Sequence, residues 1–464
     1  VEKKDTAGFV GAGDRLVAMC GETGLFECAL PEWELGKPKG PVARDYAVAV
    51  MALVRLHQAT GEVRYLKAAE RAGRCLASAV RTYGGTPKAG CLPELETIAE
   101  AQGVVAEARI TSTATNALAV AALCELSEAA KTTDFHPALA LLAQHLVLQL
   151  QPGGTVLGAR EFPSQALRPS ADDVAAAGTV LLAFTELYSA VAREAFLNHA
   201  KTVATALRRT TLAAAEMDGL PRDVWLMEAL DRLFTFTRDA TLCEPVERLA
   251  LAGLLDQVRD VDFPDGYGAV ASQPSALPAA DRSRLVAVGA RLLHDMGRTE
   301  GTDTLLGEAR PFVLFQMQTR VTPADALYLA EPQRYVGLFR DHVLDFGFEL
   351  KGQAAEILSL LSLAREMQRL GRNNLPEDLA VQKSLAAVRG LADRWPRYLT
   401  PALAATAAQA GTGQSVEFRN AASEMLTIRP RGAKDAKGTK STQGTKGRQT
   451  SPFVPVQPVK PAKR

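Results

Sequence analysis

The sequence predicts an all-α protein, an (α/α)6 double-ring toroid with short β-hairpin links at one end. Three observations predict it. Apolar residues recur at i, i+3, i+4 and i+7 through about six pairs of segments. The clearest copy is Arg44–Val80, where ARDYAVAVMALVRLHQ meets ATGEVRYLKAAERAGRCLASAV across the turn Ala59-Thr60-Gly61-Glu62. Within most pairs the first segment is more apolar and Ala-rich, while the second carries more Arg, Lys and Glu. Concentric rings require that asymmetry, because inner helices touch neighbours on several sides and outer helices show one face to water. The inner segments also start roughly 50 to 70 residues apart, too far for tetratricopeptide or ankyrin units, and a single pair cannot bury its apolar face alone.

The first pair is the one quoted. The second runs from about Thr111 through TSTATNALAVAALCELSEAA and returns through Pro137–His145, with Asp134 and Pro137 as cap and first-turn proline of the return helix. The third begins near Ser170-Ala171-Asp172-Asp173, continues through AAAGTVLLAFTELYSAV and returns over Glu194–Arg209. The fourth opens at Pro221-Arg222-Asp223 with VWLMEALDRLFTFT and returns through PVERLALAGLLDQV. The fifth is ALPAADRSRLVAVGARLLHDMG with Thr302–Gln318, and the sixth is Gly352–Leu370 with Glu377–Asp393. Between pairs lie β-like pieces, Gly24–Glu27, Gly153–Leu157, Gly266–Val270 and Tyr335–Phe339, whose Gly, aromatic and β-branched residues suit hairpins folded over one end of the ring.

The chain thus divides into an N-terminal segment with short strands (1–40), the toroid (41–395), a further helix or covering segment around PALAATAAQAG (396–431), and a Lys/Pro-rich basic tail (432–464). The tail has too little apolar content to offset its chain entropy, so disorder is expected there.

Composition excludes several classes of function. The 464 residues are 47% hydrophobic and 23% charged, and a formal net charge of +1 gives no overall field for nucleic acid. No apolar run approaches the roughly 20 residues of a membrane span. The chain begins Val1-Glu2-Lys3-Lys4, read either as a leader removed or as a trimmed sequence; a secreted or periplasmic location is the expectation. Cys75 and Cys124 stand in helical apolar stripes and read as small buried hydrophobes. Cys20 and Cys28 flank a turn at Gly21-Glu22-Thr23-Gly24 and could pair in an oxidising compartment. The chain has no CxxC motif, and its scattered histidines show no ligand spacing, His57 and His145 reading as structural; no metal site is predicted. A Walker A loop, a GxGxxG before a helix and a G-x-S-x-G elbow are all missing, and no cofactor is implied.

Gly24-Leu25-Phe26, Arg44, Ala52-Leu53, Leu56, Thr60-Gly61, Tyr65-Leu66 and Ala69 fit the pattern G-x-F … R-x6-A-L-x2-L-x3-T-G-x3-Y-L-x2-A. Through them the chain resembles the six-hairpin (α/α)6 toroid superfamily, six-hairpin glycosidase-like and terpenoid-cyclase-like toroids, over about Gly8–Leu391. That group includes glycoside hydrolases, polysaccharide lyases and sugar epimerases. The chain is also similar to toroids ending in Q-x-Q … GGFR … RIDxxQHxxxAL, through Gln316-Met317-Gln318, Gly337-Leu338-Phe339-Arg340, Gln353 and Ile357-Leu358. Phe348, Leu350 and Ala354 stand where that pattern has Arg, Asp and His. The resemblance therefore implies a last repeat that has lost a polar cluster.

In a helical toroid the useful pocket is the funnel where inner-helix starts and links converge, and helix N-termini add free N–H groups and partial positive charge there. Asp218–Glu228 brings carboxylates, a guanidinium and an indole to the fourth inner helix. Asp223 and, from the next link, Asp265 are the candidate catalytic carboxylates, with Trp225 as a stacking face for a sugar ring. Glu228, Tyr267, Arg44, Asp45 and Arg340 are candidate substrate-binding residues. A local reading stands beside each: Asp223 as a helix cap, Trp225 as packing, Glu228 paired with Arg232 at i+4, Asp265-Gly266 as a turn, Arg44-Asp45-Tyr46 and Arg160-Glu161-Phe162 as ion pairs with a packing aromatic. The functional expectation is a ring that binds a glycan or protein partner at its funnel without catalysis. The alternative is a carbohydrate-active enzyme of glycoside hydrolase, lyase or epimerase type.

Overall fold

A computed structural model of the chain describes residues 7–26, 42–82, 89–92, 109–162, 167–168, 173–213, 216–259, 265–271, 275–329, 331–341, 347–370, 416–419 and 425–428. The chain divides into two units, Val1–Pro396 and Arg397–Arg464. In the first, long helices alternate outer and inner along the chain: α1 (Ala7–Met19), α2 (Ala43–Thr60), α3 (Val63–Ser78), α4 (Thr113–Ala130), α5 (His136–Gln149), α6 (Asp173–Val191), α7 (Glu194–Arg209), α8 (Val224–Thr237), α9 (Cys243–Gly253), α10 (Ala276–Asp295), α11 (Thr302–Thr319) and α12 (Leu350–Arg369). Each even-numbered helix packs on the next even-numbered one, and α12 packs on α2, so the inner ring closes. Each odd-numbered helix touches two neighbouring inner helices. The (α/α)6 toroid is therefore complete.

Burial follows the two-layer logic. In α4 every residue from Thr113 to Ser127 is buried, as a helix surrounded on all sides must be. In α3 burial keeps to one stripe, Tyr65, Ala68, Ala69, Ala72, Gly73, Cys75 and Leu76. Each fully buried Leu or Val in these layers contributes about 1.5–3 kcal/mol, so the apolar pattern is sufficient to close the ring.

The sixth outer position differs from the sequence-based expectation. Glu377–Asp393 lies outside the described residues, and the place between α12 and α2 is taken by α1, from the segment expected to carry short strands. Gly8, Gly11 and Gly13 disguise this helix, since each Gly disfavours a helix by about 1 kcal/mol relative to Ala. Gly13 serves close contact: a side chain there would run into Leu56 and Tyr65.

The links carry less sheet than expected. Each of the four β-like pieces forms one antiparallel bridge, Cys20 with Phe26, Leu150 with Val156, Gln257 with Val270 and Arg320 with Phe339. The longer ladders lie elsewhere. β1 (Arg81–Thr82) pairs with β2 (Gly90–Cys91), while β3 (Arg109–Ser112), β4 (Ala159–Phe162) and β5 (Leu167–Arg168) form one antiparallel sheet joining two successive links. Gly24 (φ 86°) and Gly154 (φ 93°) press onto the backbones of α3 and α7, where a Cβ would strike the Arg71 and Thr202 carbonyls. The G-x-F grammar is thus a device for laying each link on the next outer helix.

In the second unit the described residues are an antiparallel pair, β6 (Val416–Arg419) with β7 (Met425–Ile428). The PALAATAAQAG stretch and the tail from 432 onward lie outside the described residues.

Candidate functional site

Because the links run from outer-helix ends to inner-helix starts, the inner N-termini converge at one end of the ring. Four consecutive inner helices, α8, α10, α12 and α2, bring charged side chains to this mouth. Asp223 precedes α8, and its Oδ1 accepts a hydrogen bond from the Trp225 N–H at 2.9 Å. Its Oδ2 faces Gly178 of α6, where an added Cβ would stand 2.5 Å away. Asp45, in the first turn of α2, accepts from the Val42 N–H at 3.0 Å. Asp281 lies in the second turn of α10 and Lys351 in the first turn of α12. Arg44, Asp45, Asp223, Asp281 and Lys351 are all half-buried, whereas Trp225, Arg284 and Glu356 beneath them are buried.

The carboxyl groups of this mouth are shifted towards the neutral form. Burial pushes Asp223 up to about 6, against the N–H groups of Trp225 and Leu226 that favour its charge, and Asp281 adds to the rise. Burial raises Asp281 too, opposed by Arg284, Lys351, Arg44 and Arg282. Asp45 is raised by burial against its bond to Val42. Glu356 is raised well above the carboxylate range, by burial and then by the charges of Asp281 and Asp341. Lys351 is lowered by burial and by the like charge of Arg44. Perturbed acids and bases gathered at a helix-lined opening are what acid–base chemistry requires.

Farther along the same helices the charges are paired. Arg55 of α2 binds Glu125 of α4 at 2.7 Å and Glu228 of α8 at 2.9 Å, and Arg284 of α10 binds Glu228 at 2.5 Å. Arg232 of α8 binds Glu186 of α6 at 2.6 Å; Arg291 of α10 binds Asp231 of α8 and, at 2.8 Å, Glu366 of α12. Burial alone would raise Glu228, but Arg284 and Arg55 hold its carboxylate well below the usual range. These ion pairs connect all six inner helices across the ring.

The expected site residues fall into three groups. Arg44, Asp45 and Asp223 meet at the mouth, with Asp223 also capping its helix. Trp225 lies below them, one face covered by the Arg284 guanidinium at 4.2 Å from its ring centre, so that face is closed to a sugar. Glu228 is not at the mouth surface: both its oxygens bind Arg55 and Arg284 instead of substrate or Arg232. Asp265 and Tyr267 stand at a link tip turned onto outer helix α11, where Gly268 presses on the Pro311 carbonyl. Asp265 is raised by burial, with no charged group among the described residues acting on it, and it is Asp281 that stands beside Asp223. Arg340 donates from Nη2 to the Gln318 carbonyl at 3.0 Å and from Nε to the Thr319 carbonyl at 3.3 Å, capping the end of α11. Arg160 does the same for α5, donating to the Leu148 carbonyl at 2.7 Å and to Gln149.

Sequence reasoning missed the side chains that hold links to helices. Tyr46, Asn116 and Gln353 each occupy the fourth residue of an inner helix. The Tyr46 hydroxyl accepts from Phe26 N–H at 2.9 Å and Asn116 Oδ1 from Leu92 N–H at 2.8 Å. Gln353 clamps Phe339 from both sides, accepting at 2.8 Å and donating at 2.5 Å. His145 is fully buried and lowered to about 3 by burial, hence neutral and structural. Cys20 is a free thiol, and Cys28 lies outside the described residues. Among the described residues no group of His, Cys, Asp and Glu is placed to hold a metal ion, and no helix is long and apolar enough to cross a membrane.

No protein-family profile matches the chain, and no curated protein is similar to it in sequence. Solved structures are similar in fold. A sugar epimerase from a ruminal bacterium aligns with a TM-score of 0.56 at 13% identity, over 78% of this chain and 96% of that one. A D-mannose isomerase aligns at 0.55 and 11% identity, over 79% and 98%. The glycoside hydrolase family 76 mannosidase Bt3792 of Bacteroides thetaiotaomicron aligns at 0.56 and 10% identity, over 80% and 100%. The class defined by the fold is thereby the (α/α)6 toroid, which these structures share.

Proposed function

We propose that this chain is a carbohydrate-active enzyme whose acid and base are Asp223 and Asp281 at the mouth of the inner ring. The observation that carries the reading is their placement: half-buried carboxyl groups on neighbouring inner helices, raised above the ordinary range, and not bonded to any guanidinium among the described residues. Asp223 keeps its proton up to about pH 6 and so can act as the acid. Asp281, faced by Arg44, Lys351 and Arg284, is the group those cations help to ionise and so the base. In a glycosidase such a pair protonates the leaving oxygen and activates water or attacks the anomeric carbon; in an epimerase or lyase it moves a proton on carbon. The named activities of the similarly folded proteins support sugars as the substrate class.

The test is product release from a panel of mannans and other oligosaccharides, read as reducing ends, together with C–H exchange in heavy water. D223N and D281N should each lower kcat by about 10²–10⁴-fold, and wild-type rates should fall as pH rises past about 6. Saturable binding without turnover would favour the second reading, a glycan-binding ring without catalysis. One observation favours that reading: Phe348, Leu350 and Ala354 are buried apolar residues of the core.

A further inference from the structure

We infer that the mouth takes an acidic sugar, its carboxylate held between Arg44 of α2 and Lys351 of α12, with the Arg284 guanidinium beneath. The inference rests on the carbohydrate reading above and names its substrate class.

Arg44 and Lys351 stand at the starts of adjacent inner helices, both half-buried, and neither forms an ion pair among the described residues. The Nε of Arg44 is buried without a hydrogen-bond partner. The two cations repel each other, and the positive ends of α2 and α12 add to the same potential. The carboxyls facing them offset this in part but are bonded to neither cation among the described residues. Asp45 is bonded to the Val42 N–H and Asp223 to the Trp225 N–H. Glu356 faces Asp281 and Asp341, and burial raises it well above the carboxylate range. Asp45, Asp281 and Glu349 act on Lys351 through space, but none of them forms an ion pair with Lys351 or Arg44 among the described residues. An anionic ligand between Arg44 and Lys351 relieves this repulsion, and a neutral sugar does not.

Arg284 supplies the second, independent observation. It is 1% exposed; its Nε donates to Glu228, its plane lies on Trp225, and both Nη groups are without a partner. Asp281, one turn away on the same helix, does not take those hydrogens. Buried donors left unbonded are costly, by about 1–3 kcal/mol each. A planar guanidinium with two parallel N–H groups free fits a carboxylate in bidentate fashion. The indole beneath holds that plane in place.

The experiment is calorimetric titration of the full chain at low salt with a trigalacturonate, a neutral mannotriose and a hexose phosphate. The uronate should bind at least about tenfold more tightly than the neutral sugar, and the advantage should shrink as added salt screens the charges. Lys351→Met and Arg44→Gln should each lower the acidic-to-neutral affinity ratio about tenfold, with thermal melting showing that the variants fold. In wild type the Lys351 ammonium, followed by NMR, should titrate at higher pH when uronate is bound. Equal affinity for acidic and neutral sugars, preference for the phosphate alone, or a ratio unmoved in both variants would overturn the inference. Binding and turnover of mannotriose with no uronate preference overturns it while leaving the enzyme reading intact; binding of no sugar at all overturns both.

Discussion

At the mouth of the ring, Asp223 and Asp281 have no guanidinium among the described residues bonded to them and burial raises both; deeper in, Glu228 is gripped by Arg55 and Arg284 and is held well below the usual range. The same helices, α8 and α10, carry both kinds of group. Burial alone therefore does not decide the direction of the shift: two bonded arginines lower Glu228, whereas Glu186, bonded to Arg232, is still raised to about 7 and Glu366, bonded to Arg291, is still raised. Glu228 also opposes the mouth in pH. A carboxyl with a depressed value gives stability that is present above its unfolded value and lost on acidification. A carboxyl with a raised value gives stability that is present in acid and lost as pH rises.

Breaking the interior should produce the largest effect. Glu228→Ala leaves Arg55 and Arg284 facing each other with their shared anion removed, and breaking one partner of a buried pair destabilises by about 3–5 kcal/mol. Urea unfolding of the variant at neutral pH measures this directly. A loss under about 1 kcal/mol would mean the network relaxes around the gap and is not what ties the ring together.

A smaller effect of opposite sign with pH is expected at the mouth. The carboxyl of Asp223 is raised from 3.8 to about 6, so the folded chain binds more protons than the unfolded one between those values and stability falls as pH climbs through them. The window corresponds to at most roughly 3 kcal/mol, lowered by the solvent screening of a half-buried carboxyl. Asp223→Asn keeps the cap, because Asn serves as well as Asp at this position, and removes the titration. Its melting temperature relative to wild type should therefore rise from pH 4 towards pH 7. A difference independent of pH would show that Asp223 ionises in the folded chain as it does in the unfolded one.

Much of the ring was legible because its signal is periodic, and helix periodicity survives without any knowledge of partners. Ring closure was not, because α1 relies on glycines that weaken a helix and signal close contact only once Leu56 and Tyr65 are in place. At the site, the rule that polar residues at inner-helix starts matter selected Arg44, Asp45 and Asp223. It applied equally to Asp281 in ALPAADRSRL and Lys351 in LKGQAAEIL, but the aromatic turn at Asp265–Tyr267 looked richer and drew the reading away. Arg340 was misread because a basic residue in a link can equally cap the preceding helix, and only the chain path to Gln318 and Thr319 shows that it does. The interior network could not be read at all. Glu228 has Arg232 four residues away, and nothing local says that the ring turns Glu228 to Arg55 and Arg232 to Glu186.

The smallest expected effect is at Asp265, and its smallness is the point. It shares chemistry with Asp223 and Asp281, and all three are raised by burial, yet no cation or carboxylate among the described residues acts on it. Its link is pinned by Ala269 and Val270 packing with Phe312 and Phe315, contacts that do not use the carboxyl. Asp265→Asn should therefore change stability by no more than about 0.5 kcal/mol, as at other surface positions without special contacts. Oligosaccharide turnover should stay within about twofold of wild type, set against the far larger loss expected for an acid or base. A tenfold loss in this variant alone, with melting unchanged, would move the reacting group from the inner-helix starts to the link tip over α11.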